Sequence, residues 1–147
     1  MKSVINAIPV DPIWFPLVKK FYQAFYPSGK PNKAEPLWVI KDGANILCAV
    51  RLKPLDQCLL LTGLVTHPRH RNQGIAGQLL QTISEQLTRQ PSYCLNTPEL
   101  TPFYTRHGFT EVTDEALLPS ELRSRLQRYR IKQPRLIAMQ YHKKTPT

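Results

Sequence analysis

The residues with the clearest chemical potential are 64–77, which read L-V-T-H-P-R-H-R-N-Q-G-I-A-G. They follow an apolar run, pass through a basic turn at 69–71, and reach Gly74 where a helical pattern begins. A helix start offers unpaired backbone N–H groups and the positive end of the helix dipole. Because these two features bind phosphate, and because Gly74 and Ala76 leave room for an anion, the segment predicts a phosphate-binding site.

Other phosphate-binding and thiol-dependent chemistries have no support in the sequence. Neither GxxxxGK[ST] nor GxGxxG occurs, which argues against a Walker loop and a dinucleotide fingerprint. The three cysteines, Cys48, Cys58 and Cys94, are odd in number and lack metal-ligand spacing. Since each has apolar neighbours, we expect reduced, buried thiols, no metal and no catalytic thiol.

A strand and a helix must position this turn. Residues 58–66 (CLLLTGLVT) form a nearly continuous apolar run, typical of a central strand buried on both faces. Gly63 within it indicates a bulge or a close backbone approach. Residues 74–90 carry one apolar stripe at helical spacing, and Pro91 ends the predicted helix.

The remaining elements alternate in the same way and predict one mixed α/β domain over residues 1–147. The first half of the chain predicts a strand at 2–8, a helix at 12–26, a surface loop at 27–36 and a hairpin of strands at 37–41 and 46–52. The second half predicts a strand at 92–96, a helix at 99–107, a strand at 110–112 and a strand at 136–141. Before that last strand we predict a helix that Ser120 N-caps and that places Leu122, Leu126 and Tyr129 on one face. The predicted order is therefore β-α-β-β-β-α-β-α-β-α-β.

Two motifs in this order resemble the GCN5-related N-acetyltransferase (GNAT) superfamily. Residues 71–76, R-N-Q-G-I-A, match the family pyrophosphate motif R/Q-x-x-G-x-G/A. Residues 96–109 look like the family's Asn, short helix and F-Y-x-x-x-G-F block. The resemblance implies a single-domain GNAT-like α/β fold, with a mixed central sheet splayed between strands 4 and 5 and flanked by helices. Its cofactor-binding core would span about 58–109.

The resemblance implies acetyl-CoA as cosubstrate, bound where the fourth and fifth strands separate. Backbone groups of Leu64, Val65 and Thr66 would hydrogen-bond the pantetheine arm. Asn96 would contact the CoA arm or orient the thioester. The pyrophosphate would be held by the turn and first helical residues, namely Arg71, Asn72, Gln73, Gly74, Ile75, Ala76 and Gly77.

The implied reaction is direct attack of a neutral amine on the thioester within a ternary complex. Tyr104 is the candidate general acid, because a tyrosine near its ordinary pKa of ~10 can protonate a departing thiolate. The run 58–66 contains no acid, so we expect water or no dedicated residue as base, with Glu99 the side-chain candidate. His67 and His70 are interpreted as solvated histidines.

The charge of the chain indicates an anionic partner. The 147 residues carry a net charge of +10, and residues 119–147 hold eight basic side chains against one acid. Most of these basic side chains belong to the predicted C-terminal helix and strand at about 119–143. It favours an amine acceptor that also bears a carboxylate or phosphate over a polyamine. Apolar runs are far shorter than the ~20 residues of a membrane span, so no membrane association is expected.

A second interpretation stays open, in which a CoA-responsive, non-catalytic module uses the basic C-terminus to bind RNA or a partner protein. Nucleic acid is not favoured, because Tyr129 is the only aromatic residue among those arginines and a solvated helix face explains them equally well. Tyr104 distinguishes the enzyme from the non-catalytic module, since only an enzyme would need this residue as a general acid. We expect a cytoplasmic monomer or homodimer.

Overall fold

The computed structural model describes residues 8–27, 31 and 35–143. The helices are α1 (Phe15–Phe25), α2 (Ile75–Thr82), α3 (Ser84–Thr88), α4 (Thr101–Arg106) and α5 (Ser120–Tyr129). The strands are β1 (Ile8–Pro9), β2 (Leu37–Asp42), β3 (Asn45–Leu55), β4 (Cys58–Thr66), β5 (Ser92–Asn96), β6 (Phe109–Glu111) and β7 (Ile137–Tyr141). The predicted leading strand lies outside the described residues except for its last position, as does most of the predicted loop at 27–36. Every helix among the described residues is too short or too polar to cross a bilayer.

The strands form an open mixed sheet in the order β1-β2-β3-β4-β5-β7-β6. The pair β4–β5 is parallel, with Leu59 to Leu61 in register with Ser92 to Cys94. The pairs β2–β3, β5–β7 and β6–β7 are antiparallel. The predicted mixed α/β fold class and the order of its elements are confirmed.

Two compact units make up the chain, and the first comprises residues 1–53 and 62–83. Its hairpin turns at Gly43 and Ala44, as the Asp-Gly pattern predicts, with Asp42 opposite Asn45 in the register. Gly43 has a φ of +58°, which glycine adopts without strain. Helix α1 packs on β2 and β3 through buried apolar side chains, Val18, Phe21 and Tyr22 against Leu37, Val39 and Ala49.

The second unit comprises residues 54–61 and 84–147. Its core forms where α5 inserts Leu122 and Leu126 against the strands, contacting Tyr93, Leu136 and Ala138. A chain of edge-to-face rings links α4 to the end of the sheet, with Phe109 contacting both Tyr104 and Tyr141.

Four local predictions are wrong in detail. The helix at 74–90 is interrupted at Ile83 (φ −90°, ψ 9°), which the pattern cannot reveal because Ile83 stays fully buried on the same stripe. Ser120 is the first helical residue and makes no cap, since Pro119 takes the extended cap position. Tyr129 lies in the last turn of α5, beyond the core, and is 41% exposed. Glu35 is buried within the predicted surface loop, because cations from β3 neutralise it.

Candidate functional site

A cavity of about 370 Å³ in the first unit collects most of the predicted cofactor residues. We call it the turn cavity, because it lies at the turn between β4 and α2. The end of α1, the last residues of β4 and the turn itself line it, through Phe25, Tyr26, Leu64, Val65, Thr66, His70, Arg71, Asn72, Gly74, Ile75 and Ala76. Eight of the predicted cofactor residues therefore share one concave surface.

The turn into α2 is compact because two of its residues adopt left-handed backbone conformations. Asn72 has a φ of +63° and Gly74 a φ of +77°. Asparagine and glycine are the residues that tolerate this region best. A Cβ added at Gly74 would meet no heavy atom of the described residues within 4 Å, so the backbone there is open to the cavity. Gly74 caps α2, whose first N–H groups have no partner within the helix.

The electrostatics of the turn cavity suit an anion. Among the described residues that line it, none is an acid, while Arg71 and His70 are basic residues. The Arg71 Nε atom lies 3.4 Å from the Thr66 carbonyl oxygen, which ties the guanidinium loosely to the end of β4. Two predicted residues of the turn and helix start lie outside the described lining: the Gln73 side-chain amide donates to the Arg69 carbonyl at 3.4 Å, and Gly77 is buried within α2.

A buried tyrosine that the sequence pattern does not single out forms a hydrogen bond to the irregular backbone of β4. Gly63 has a φ of +64°, and a Cβ there would lie 3.2 Å from the Arg51 side chain and 3.3 Å from the Tyr22 ring, which agrees with the predicted close approach at this glycine. The Tyr22 hydroxyl donates a 2.7 Å hydrogen bond to the Gly63 carbonyl, and Tyr22 is fully buried. Burial raises the pKa of Tyr22, so the hydroxyl stays a neutral donor across the ordinary pH range. Position 22 reads as a plain apolar position of α1, and only its partner 41 residues away distinguishes it.

We expect Tyr22→Phe to lower the free energy of unfolding by about 1–2 kcal/mol, because the buried Gly63 carbonyl loses its donor. Urea unfolding at neutral pH measures this change. Tyr26→Phe is the matched control, since Tyr26 lies near the end of the same helix and is 39% exposed. Equal stability of Tyr22→Phe and the parent would contradict a fixing role for this hydrogen bond.

The predicted residues of the second motif lie in the second unit. Asn96 is 3% exposed at the end of β5. Its amide nitrogen lies 3.5 Å from the Cys94 sulfur, and its carbonyl accepts a 3.3 Å hydrogen bond from the Thr101 hydroxyl at the start of α4. These contacts fix the orientation of the amide and join the strand end to the helix that carries Tyr104.

Tyr104 is 7% exposed on α4. Its ring packs edge-to-face between Phe103 and Phe109, with centroid distances of 5.2 and 5.5 Å. This packing restricts the rotamer of Tyr104, and a positioned phenol is what a general acid needs.

Two of the C-terminal arginines pair with acids that precede residue 119 in the chain. Arg130 makes a two-pronged ion pair with Glu115 at 2.7 and 2.6 Å, and its hydrogen bonds lower the pKa of that carboxyl. Arg135 pairs with Glu99. Glu115 and Glu99 therefore offset a part of the charge surplus after residue 119.

Glu99, the side-chain candidate for the base, is a poor one. It is exposed, and hydrogen bonds from its own backbone, Thr97 and Arg135 lower its pKa. A carboxylate with a lowered pKa accepts a proton less readily.

Comparison with known protein families decides the family. The model of the acetyltransferase (GNAT) domain matches residues 33–111, which is more than half of the chain. The protein belongs to the GNAT acetyltransferase family. The matched segment is an acetyltransferase domain, and the enzymes of this family use acetyl-CoA as cosubstrate. Comparison with the curated proteins finds no match.

Solved GNAT structures share the fold at low sequence identity. N-acetylglutamate synthase from Neisseria gonorrhoeae, complexed with coenzyme A and L-arginine, has a TM-score of 0.72 and 14% identity over 96% of this chain. This chain spans only 34% of that protein. The ribosomal-protein-S18-alanine N-acetyltransferase from Escherichia coli has a TM-score of 0.66 and 12% identity, covering 98% of this chain and 97% of its own. A GNAT family acetyltransferase from Elizabethkingia anophelis with acetyl-CoA bound has a TM-score of 0.55 and 19% identity, covering 76% and 79%.

The turn cavity of this GNAT protein fits the phosphate-bearing part of acetyl-CoA. The fit rests on the open backbone at Gly74, on the N–H groups at the start of α2 that have no partner within the helix, and on the absence of acids among the described lining residues. Among the described residues, no group of three or more His, Cys, Asp or Glu side chains is placed to bind a metal.

The three cysteines of this GNAT protein are free and buried, as the sequence predicts. Burial raises the pKa to about 11 for Cys48, about 11 for Cys58 and about 12 for Cys94. Thiols with such pKa values are almost entirely protonated near neutral pH and are weak nucleophiles.

Proposed function

We propose that this GNAT protein transfers the acetyl group of acetyl-CoA to a primary amine of a small molecule, a peptide or a protein. One acetyltransferase domain would occupy residues 1–147. The observation that carries the proposal is the turn cavity, which joins the end of β4 to an anion-binding helix start in the order that the family motif requires. Bound acetyl-CoA supplies the activated acetyl thioester.

The cofactor-binding roles follow from the two elements at the turn cavity. Backbone groups of Leu64, Val65 and Thr66 pair with the pantetheine arm, as a further strand would. Backbone amides in the range 71–77 hold the pyrophosphate at the positive end of α2. Gly74 leaves the approach open, and Arg71 adds positive charge.

The catalytic roles lie with the second motif. Tyr104 donates a proton to the departing thiolate, because burial and ring packing keep its phenol in one orientation. Asn96 orients the CoA arm or the thioester. Water receives the proton that the amine releases, since Glu99 is a poor base, and the solvent returns a proton to the Tyr104 phenolate before the next turnover.

Transfer proceeds directly to the amine within a ternary complex. The raised pKa values of Cys48, Cys58 and Cys94 support this proposal, because none of these thiols is a ready nucleophile for an acyl-enzyme step. The net charge of +10 favours an acceptor that also bears a carboxylate or phosphate.

The decisive experiment measures acetyl-CoA binding first and transfer second. Saturation at about 100 times the Kd stabilises a protein by about 2.7 kcal/mol, which raises the Tm of a chain this size by roughly 5–10 °C. Release of free thiol is then measured against a panel of amino acids, phosphorylated amines, polyamines and N-terminal peptides. A rise in Tm with turnover of one acceptor class supports the proposal, and no shift at millimolar acetyl-CoA contradicts it. A shift without turnover of any amine favours the non-catalytic interpretation.

A further inference from the structure

Three charged side chains of the first unit form a cluster beside the irregular point of β4. Glu35 precedes β2, whereas Arg51 and Lys53 are two positions apart on β3 and so lie on the same face of the sheet. The Arg51 Nε and Nη2 atoms donate hydrogen bonds of 2.8 and 3.0 Å to the two Glu35 carboxylate oxygens, and the Lys53 Nζ atom donates one of 3.2 Å. We call these three residues the Glu35 cluster.

The Glu35 cluster is largely removed from water but is not neutral. The side chains of Glu35 and Arg51 are 6% and 12% exposed, whereas that of Lys53 is 28% exposed. Two cations and one carboxylate leave the three residues with a net charge of +1. Because an unbalanced charge away from water is costly, the cluster favours one further anion beside its most exposed member, Lys53. A carboxylate supplies a single negative charge, whereas a phosphate monoester carries about −1.5 to −2 at pH 7.

The Glu35 cluster reaches β4 at Gly63. A Cβ at Gly63 would lie 3.2 Å from the Arg51 Cδ atom, so the stem of the arginine lies against this residue. In the proposed function the pyrophosphate lies at residues 71–77, and the pantetheine arm pairs with residues 66, 65 and 64 as it runs away from the turn. The next position along β4 is Gly63, so the thioester end of acetyl-CoA comes near the Glu35 cluster.

We infer that the acceptor of this GNAT protein is a primary amine that carries one carboxylate, and that Lys53 binds this carboxylate. The inference rests on the proposed function and names its substrate class. The amine faces the thioester near Gly63, while the carboxylate lies at the ammonium of Lys53, which has three donors and gives one to Glu35.

Arg51 and Glu35 set the charge that Lys53 offers to the acceptor. The two-pronged pair holds the Glu35 carboxylate in a fixed orientation, and this carboxylate leaves room for one negative charge and no more. A polyamine would instead bring positive charge to Lys53 and be repelled. Lys53 is therefore a specificity-determining residue.

The test measures steady-state acetyl transfer to pairs of amines that differ only in the carboxylate. The probes are glycine, β-alanine, 4-aminobutyrate and the other L-amino acids with a primary amine, each beside its carboxamide. We expect the parent to have a kcat/KM for its best carboxylate-bearing amine about tenfold or more above that for the matching amide.

Lys53→Met keeps the apolar stem of the side chain and removes its charge. We expect it to raise the KM for the carboxylate-bearing amine by about 10–100-fold with little change in kcat, and to leave the KM for the amide unchanged. Variant and parent are compared on the same pair, so the different basicity of the two amines cancels. Lys53→Arg restores the charge and should recover most of the discrimination. Lys19→Ala is the matched control, because it removes one positive charge from an exposed position of α1.

Three results would overturn the inference while leaving the proposed function intact. The first is equal kcat/KM for acid and amide in the parent, or a preference for amines that lack a carboxylate. The second is full discrimination in Lys53→Met. The third is an equal loss of activity toward both members of a pair in Lys53→Met, which would show a structural role. No turnover of any amine would contradict the proposed function itself.

Discussion

Gly74→Glu is expected to abolish the rise in Tm that acetyl-CoA produces in the parent protein. The new side chain begins in the open space at the start of α2 and brings a carboxylate to the place where the N–H groups would meet phosphate. The carboxylate would repel the phosphate of acetyl-CoA, and the side chain would occupy the space that the phosphate needs, so the anion site is lost. Thermal unfolding with and without millimolar acetyl-CoA measures the effect.

Gly74→Gln separates charge from strain in this experiment. Any L-residue at the φ of +77° costs about 1–2 kcal/mol, so both variants unfold at a lower temperature than the parent without ligand. Only the glutamate adds negative charge. We expect Gly74→Gln to keep a reduced Tm rise, and a full rise in Gly74→Glu would show that the pyrophosphate binds elsewhere.

Tyr104→Phe is expected to lower kcat by about 10²–10⁴-fold, because the departing thiolate loses its proton donor. Phenylalanine keeps the ring that packs against Phe103 and Phe109. The Kd for acetyl-CoA should change little, since the cofactor-binding residues of the turn cavity belong to the other unit. Steady-state turnover and calorimetric binding measure the two quantities separately.

Tyr93→Phe is the control for this substitution. Tyr93 is another buried tyrosine of the second unit, 6% exposed in the core beneath α5, and burial raises its pKa. We expect the kcat of the Tyr93→Phe variant to match that of the parent protein. If Tyr104→Phe retains full turnover across the pH range, Tyr104 is a packing residue and the thiolate leaves without a protein acid.

The elements that hold the candidate site were predictable because their signals are contiguous. Residues 58–66 are apolar at almost every position, and β4 has the predicted bounds. The Asp-Gly turn predicts the β2–β3 hairpin, and residues 71–76 predict the turn into α2. Local backbone preferences decide such features, so a short stretch of sequence suffices to recognise them.

Interactions between distant parts of the chain were not predictable. Nothing around Glu35 indicates that Arg51 and Lys53 would neutralise it, and the charge of residues 119–147 gives no sign that Glu115 holds Arg130. The sequence around a carboxylate or a guanidinium is the same whether that group is solvated or paired with an opposite charge. The pairing partner is brought near only by the packing of strands and helices.

The sequence by itself indicated the family, the turn that we propose to bind phosphate, and the order of the elements, because each signal lies in adjacent residues. Only the tertiary structure decided that Tyr22 fixes the carbonyl of Gly63 and that Lys20 shares a cavity with Arg69. In both pairs the partners are more than 40 residues apart. Their proximity depends on how α1 packs on β2 and β3, and that packing follows from the burial of many apolar side chains together.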